Sequence, residues 1–360
     1  VTQSPSNNLR FWLMGLAVSL GLIYLLSSIL LPFVAGMAIA YFLDPLAQRL
    51  GRIGFSRALA AACIELGFFL LLGLAVLALA PLVEAQISSF AARIPGYTQG
   101  LLHRGEPIWR TAMAHLSAGE IERLTSAAGD YAGTAASWLG GFITRLLSGS
   151  LMVVNILSLI FITPVVTFYF LRDWQGITTR VERWLPRRHS ATICQQLREI
   201  DSILAGFVRG QALVCLSLAS YYALALSLVG LDLGLLVGFT AGAFSFIPYL
   251  GSISGFLVAT GLALAQSQDW SLALMVMAVF AVGNLLEGNV LAPKLVGEKI
   301  GLHPIWVIFA LLAGGALFGF VGILLALPTA AVIGVLTRFA LARYMESAIY
   351  DNDPSGAPPR

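Results

Sequence analysis

The sequence predicts an all-α, polytopic membrane protein with about eight membrane segments, including broken or re-entrant helical hairpins, and an extramembrane helical segment. Three observations predict it. Hydrophobic residues make up 58% of the 360 and charged residues only 11%, with a mean hydropathy of +0.86, beyond what a soluble domain of this length carries. The apolar residues fall into long runs joined by links whose arginines are unevenly shared. Two of the runs, Leu233 to Ala265 and Ile305 to Thr337, have 33 residues each and are interrupted near the middle by Gly or Pro. A straight helix of that length would measure about 50 Å against a hydrocarbon core of about 30 Å, so each is expected to fold as a hairpin.

Taken in order, Phe11 to Leu31 is too long and too rich in leucine for a cleavable signal peptide and reads as a retained anchor. Pro32 then breaks the chain, and Phe33 to Leu43 returns and ends at Asp44-Pro45. Arg10 precedes this pair and Arg49, Arg52 and Arg57 follow it, which puts both ends in the cytoplasm. Leu59 to Val83 crosses outward with Glu65 inside it, near the interface or lining the bundle. From Glu84 to Arg145 five acidic residues balance five basic ones. This stretch holds a turn at Ile94 to Gly96 and an amphipathic pattern at Ile121, Leu124, Ala128, Tyr131, Ala135, Trp138, Phe142 and Leu146. Its balanced charge places it outside. The next link, Arg172 to Arg209, has seven arginines against four acids and belongs inside. Leu147 to Leu171, with Pro164, connects the two. Trp174 and Trp184 suit the arginine-rich link to lipid headgroups rather than to a nucleotide or nucleic acid. Ile203 to Gly230 crosses outward again, with Arg209-Gly210-Gln211 near its start, where Arg209 can snorkel to the interface.

Gly234, Gly238 and Gly242, four residues apart, open the first hairpin and invite another helix to approach closely. Pro248 lacks an N–H and Gly251 allows unusual backbone angles, so the break falls at Phe246-Ile-Pro-Tyr-Leu-Gly251 with Tyr249 at the tip. Backbone freed there must line protein or water. After a short turn at Gln266 to Asp269, Ser271 to Ala292 crosses inward with Gly283, Asn284, Glu287 and Gly288 on one face. Asn289 follows, and the chain is expected to break at Pro293-Lys294. Gly314, Gly315, Gly319 and Gly322 break the second hairpin, whose return arm ends at the cytoplasmic Arg338 and Arg343. The two hairpins enter from opposite sides.

Polar groups in an apolar span cost several kcal/mol, roughly 3 for each ionised one, unless something repays them. A span carrying Asn284, Glu287 and Asn289 between two broken segments is the sequence pointer to a transporter's midplane site. The residues expected to line a substrate or ion pathway are therefore Asn284, Glu287, Asn289, Lys294, Pro248, Tyr249, Gly251, Arg209 and Gln211. Burial penalises the charged form of Glu287, which suits it to exchange a proton or a sodium ion. Alternatively it is a fixed salt-bridge partner of Lys294. The expected organisation is then 1–83 as N-terminal membrane helices, 84–146 as an extracytoplasmic helical segment, 147–171 as a membrane span and 172–202 as a cytoplasmic basic loop. Residues 203–349 form a C-terminal transport unit with two hairpins, and 350–360 a disordered tail.

Several chemistries are missing. There is no Gly-x4-Gly-Lys-Ser/Thr phosphate loop and no His-Glu-x-x-His, and His103, His115, His189 and His303 are scattered. Gly251-Ser-Ile-Ser-Gly255 centres on Ile253 and follows no strand, so it is no nucleophile elbow. Cys63, Cys194 and Cys215 suggest neither a metal site nor a disulfide framework. No catalytic residue, cofactor or metal is expected, and the chain does not read as an enzyme. The partners expected are the lipid bilayer, a small polar solute and H+ or Na+, with no nucleic acid. A non-transporting membrane scaffold, working through the Glu84 to Arg145 surface, is the competing class.

Phe207-Val-Arg-Gly-Gln211, Phe246-Ile-Pro-Tyr-Leu-Gly251, Leu291-Ala-Pro-Lys-Leu-Val-Gly297, Gly301-Leu-His-Pro304 and the run Gly314 to Pro328 resemble the autoinducer-2 exporter family, also called the PerM permease family. The resemblance covers nearly the whole chain and is most specific in its last third. It implies a bacterial inner-membrane secondary transporter, a homo-oligomer, with members assigned to export of the quorum-sensing signal autoinducer-2 and others to sodium/proton antiport. Family members often carry proline after the glycine of the Ile-Pro-Tyr-x-Gly motif, where this chain has Ser252.

Overall fold

The computed structural model describes residues 29–113, 150–187, 190–267, 269–296 and 303–347, together with 21, 25, 26 and 350. Most of the first apolar run, the amphipathic pattern from Ile121 to Leu146 and the tail beyond Tyr350 lie outside the described residues. Among the described residues the regular structure is entirely helical, and six helices are long and apolar enough to cross a membrane. The chain is thus an all-α polytopic membrane protein, as its composition requires.

Helix α1 spans Leu30–Arg52. Pro32 sits in its first turn, where a missing N–H breaks nothing, so it starts the returning arm rather than interrupting it. The expected stop at Asp44-Pro45 is overturned, because the helix runs through Pro45 for two more turns of Leu, Ala, Gln and Arg, all good helix formers. Helix α2, Arg57–Met113, is 57 residues long, about 85 Å. It passes without a break through Ile94-Pro95-Gly96, so the turn expected there is absent. Its part up to Phe90 is the span-length, apolar one, with Leu66, Leu70, Leu71 and Leu77 exposed, as a helix solvated by lipid requires.

Helices α3, Ser150–Trp184, and α4, Ser190–Leu228, absorb most of the expected basic loop 172–202. Only the link at 185–189 separates them. Arginine, glutamine and glutamate favour helix, so a high charge density sets an interface position and not an irregular backbone. The first hairpin forms as expected, with α5, Gly234–Phe244, and α6, Leu250–Gln266, packed against each other. Helix α7, Ser271–Leu286, packs on α6 and continues as a π-helix, Glu287–Val296. Helix α8, Pro304–Met345, closes the fold, with His303 as its N-cap and Pro304 at its first position. The Gly301-Leu-His-Pro304 motif thus acquires a structural cause at its last two residues.

The chain divides into two compact units. The first holds Val1–Glu65, Pro164–Val214 and Asn289–Arg360. Within it the Thr167 hydroxyl donates to the Gly36 carbonyl at 3.2 Å, and Ile203, Ala331 and Val335 form a buried cluster with Ile200 against it. The second holds Leu66–Thr163 and Cys215–Gly288. Here the glycines of α5 meet the latter part of α4, as their spacing predicts. A Cβ at Gly238 would lie under 3.0 Å from backbone atoms of Tyr222 and Ala223, and one at Gly242 from those of Leu218 and Ala219. Gln266 staples the α4–α5 link: its Oε1 accepts from the Asp232 N–H at 2.8 Å and its Nε2 donates to the Gly230 carbonyl at 2.7 Å.

Candidate functional site

The chain does not break at Pro293-Lys294. It stays helical but widens to π geometry from Glu287 to Val296, with Pro293 inside. Proline removes a hydrogen bond and crowds the carbonyl of the preceding turn, and the wider i→i+5 winding is one way a helix accommodates this. The expected common face is unevenly buried. Gly283 is buried, Glu287 half-buried, and Asn284, Gly288 and Asn289 exposed. Glu287 makes no ion pair among the described residues, so the fixed bridge to Lys294 is absent.

In the second unit α7 is seated by Tyr222. A Cβ at Gly283 would run into the Tyr222 ring, which is fully buried and stacked on Phe280 with centroids 4.7 Å apart. Glu287 follows one turn later on the same helix. The Tyr222 hydroxyl is buried without a hydrogen-bond partner among the described residues. Nearby on α4, the Tyr221 hydroxyl donates to the Val279 carbonyl at 3.1 Å. The hairpin tip lies at Ser245 to Tyr249, with Pro248 half-buried in it. Tyr249 itself takes the left-handed conformation, at φ 67°, and is 58% exposed. Gly251 was expected to supply backbone freedom and does not. Its glycine is required by space, since a Cβ there would strike backbone atoms of Ala241, Phe244 and Ser245.

In the first unit the second hairpin turns at Gly319, φ 59° and ψ −138°. Residues eight apart in a straight helix are about 12 Å apart, yet a Cβ at Gly314 would fall 2.9 Å from the Gly322 carbonyl carbon. The chain therefore doubles back. Of the four expected breakers only Gly319 makes the break, while Gly314, Gly315 and Gly322 let the arms approach. Leu317, beside the turn, is 59% exposed. The same unit brings Arg209-Gly210-Gln211 against the end of the π-helix: a Cβ at Gly210 would lie 2.8 Å from the Leu295 carbonyl carbon and 2.9 Å from the Val296 Cα. Gln211 is buried.

Arg209 also reaches a feature the sequence did not reveal. A cavity of about 250 Å³ in the first unit is lined from α1, the start of α2, α3 and α4. Tyr41, Asp44, Arg57, Trp174, Asp201 and Arg209 give it its chemistry. The Tyr41 hydroxyl donates to Asp201 Oδ1 at 2.8 Å, and the Tyr41 and Trp174 rings meet edge to face at 5.8 Å. Gln48 Nε2 donates to Asp44 Oδ2 at 2.6 Å, and Arg57 Nη2 lies 3.6 Å from Asp44 Oδ1. Asp201, Ala205 and Arg209, four residues apart, share one face of α4. The signal for this cavity was ionisable residues at the ends of apolar helices, but Asp44-Pro45 read as a stop and Asp201 as part of a solvated loop.

The chain matches the family described as AI-2E family transporter over residues 13–342. It is 30% identical over 317 residues to YrrI of Bacillus subtilis (strain 168), which is named for transport, with 86% of each chain covered. PerM of Escherichia coli (strain K12), named as a permease, is 27% identical over 323 residues, covering 88% of this chain and 89% of its own. MT0215 of Mycobacterium tuberculosis (strain CDC 1551 / Oshkosh), also named for transport, is 28% identical over 332 residues. With a match that takes in all nine described helical elements except the last turn of α8, the chain belongs to the AI-2E family of membrane transporters.

Proposed function

We propose that this protein is a secondary-active carrier of the bacterial inner membrane that exports a small polar solute, similar to autoinducer-2, coupled to an ion gradient at Glu287. The observation that supports this most is the change from α to π winding at Glu287. π-Helical turns are rare, strained relative to α-helix and recurrent at functional sites. Here one begins at the only carboxylate of an otherwise apolar span, half-buried and without an ion pair among the described residues. A carboxylate in that state can take up and release a proton or a sodium ion as its surroundings change. Asn284 and Asn289 on the same helix offer hydrogen bonds to a hydroxyl-rich solute. Both termini are cytoplasmic in this reading, and the 203–349 segment is the transport unit.

Glu287→Gln keeps the shape of the side chain and removes its charge. Purified and sealed into vesicles, the variant is expected at normal abundance, with solute flux that no longer responds to an imposed pH or sodium gradient. Unchanged ion dependence in that variant would rule out coupling at Glu287.

A further inference from the structure

The cavity of the first unit carries charges that its own contacts leave unmatched. Its four ionisable side chains sum to zero, Asp44 and Asp201 against Arg57 and Arg209. They are not paired two by two. Asp44 is served by Gln48 and, at 3.6 Å, by Arg57. Asp201 receives the Tyr41 hydroxyl and has no cation at ion-pair distance, and Arg209 has no carboxylate at ion-pair distance, among the described residues. Arg57 keeps its Nη1 buried without a hydrogen-bond partner among the described residues. All four are half-buried, and a partly desolvated charge is steadier when a counter-charge meets it.

The geometry points to this cavity as the binding site of a small zwitterion, whose ammonium meets Asp201 and whose carboxylate, or similar anionic group, meets Arg209 and Arg57. A ligand with net charge would satisfy one wall and leave the other worse off. An uncharged polyol would leave both unmatched. The walls match the two ends separately. Beside Asp201 stand the rings of Tyr41 and Trp174, with Phe170 5.9 Å from Trp174, and aromatic surfaces attract an ammonium. Arg209 stands two turns after Asp201 on the same face of α4, and its planar fork suits a carboxylate. The volume of about 250 Å³ accommodates a compact solute. This assignment goes beyond the carrier reading above: the cavity lining includes neither Asn284, Glu287 nor Asn289, and the zwitterion is a second ligand beside the hydroxyl-rich solute proposed there.

The test is calorimetric titration of the purified full-length protein in detergent with four probes of similar size: β-alanine, propionate, propylamine and glycerol. β-Alanine is expected to bind roughly tenfold to a hundredfold more tightly than either singly charged probe, the worth of one charged hydrogen-bonded contact. Asp201→Asn keeps an oxygen for the Tyr41 hydroxyl and removes the charge. It should weaken β-alanine about tenfold or more while leaving propionate unchanged or tighter. Arg209→Gln should do the reverse with propylamine, and Arg209→Lys should restore much of the preference for β-alanine. The assignment is overturned if β-alanine binds no better than the other three, if no probe binds, or if both variants weaken every probe equally. Binding needs no gradient, so a protein that shows this pattern but moves nothing across vesicles would sink the carrier reading and leave the site standing.

Discussion

Removing the hydroxyl of Tyr222 should make the protein more stable. The ring is fully buried, stacked on Phe280 at 4.7 Å and tilted against Tyr221 at 5.4 Å, and the absence of a side chain at Gly283 provides the slot for its edge. Phenylalanine keeps all of that packing. What it removes is an oxygen buried without a partner, and a hydroxyl in that state costs about 1–3 kcal/mol in protein mutational series. Because a chain unfolded in a bilayer or micelle also finds partners for its polar groups, the lower half of that range applies, about 1–2 kcal/mol. At about 2–4 °C per kcal/mol, Tyr222→Phe should raise the thermal midpoint by a few degrees. The midpoint can be followed with a thiol-reactive dye, since Cys63 is exposed and reacts at once whereas Cys194 and Cys215 are half-buried and report unfolding. A fall of more than about 2 °C, roughly 1 kcal/mol, would mean that the hydroxyl is hydrogen-bonded in the membrane, and the reasoning would fail. Transport should move the other way. A group kept at a cost to stability, one turn from where Glu287 sits, is expected to lower flux when lost.

Four further changes probe other parts of the fold. Gly242→Ala gains up to about 1 kcal/mol of helix propensity but drives a methyl into the backbone of Ala219, so a net loss of about 1–2 kcal/mol is expected in the same dye assay. Tyr249→Gly releases a left-handed residue whose ring is mostly exposed and should stabilise by about 1 kcal/mol, with destabilisation refuting the strain argument. Arg93 and Asp232 form a two-pronged pair at 2.9 and 3.0 Å, but Arg93 is 58% exposed, so a double-mutant cycle should return no more than about 1 kcal/mol. Single cysteines at Ser190 and Ser347 should resist a membrane-impermeant thiol reagent applied from outside, whereas one at Ser117 should react; labelling at Ser190 would reverse the topology.

Much of the fold could be read from the sequence because lipid simplifies the problem. A span must be apolar for some twenty residues, and a run of 33 cannot be one span, so both hairpins were legible from Pro248, Gly251 and the glycines around Gly319. The four-residue glycine spacing at Gly234, Gly238 and Gly242 likewise foretold the close approach of α4, because only missing side chains allow backbones so near. Boundaries were less legible. Proline and charge read as stops at Asp44-Pro45, Ile94-Pro95-Gly96 and Arg172 to Ser202; in the first two the helix continues, and in the third it runs on to Trp184 and resumes at Ser190. Local breakers cost a few kcal/mol at most, and packing or the strong helix formers around them outweigh that. Which glycine bends and which merely yields space cannot be told from spacing, and Gly251 and Gly314 were read as the former and are the latter.

The candidate site was legible as a debt and not as a geometry. Asn284, Glu287, Asn289 and Arg209 stand out because charged and amide groups are expensive in apolar runs, and that inference needs no fold. What repays them does need one. Asp44 and Asp201 are 157 residues apart in sequence, and Tyr41 and Asp201 are 160 apart, so only the packing of α1 on α4 brings a hydroxyl to one carboxylate and both acids to one cavity with Arg209. The π-helix is hidden for another reason. Pattern reading assumes 3.6 residues per turn, and from Glu287 onward the helix does not keep that period, so a face extrapolated past Glu287 no longer follows the sequence spacing. The departure begins at the carboxylate itself. A uniform α-helix would have been easier to form and to foresee, and its loss at the one carboxylate of the span is what ties the local geometry to the work proposed for Glu287.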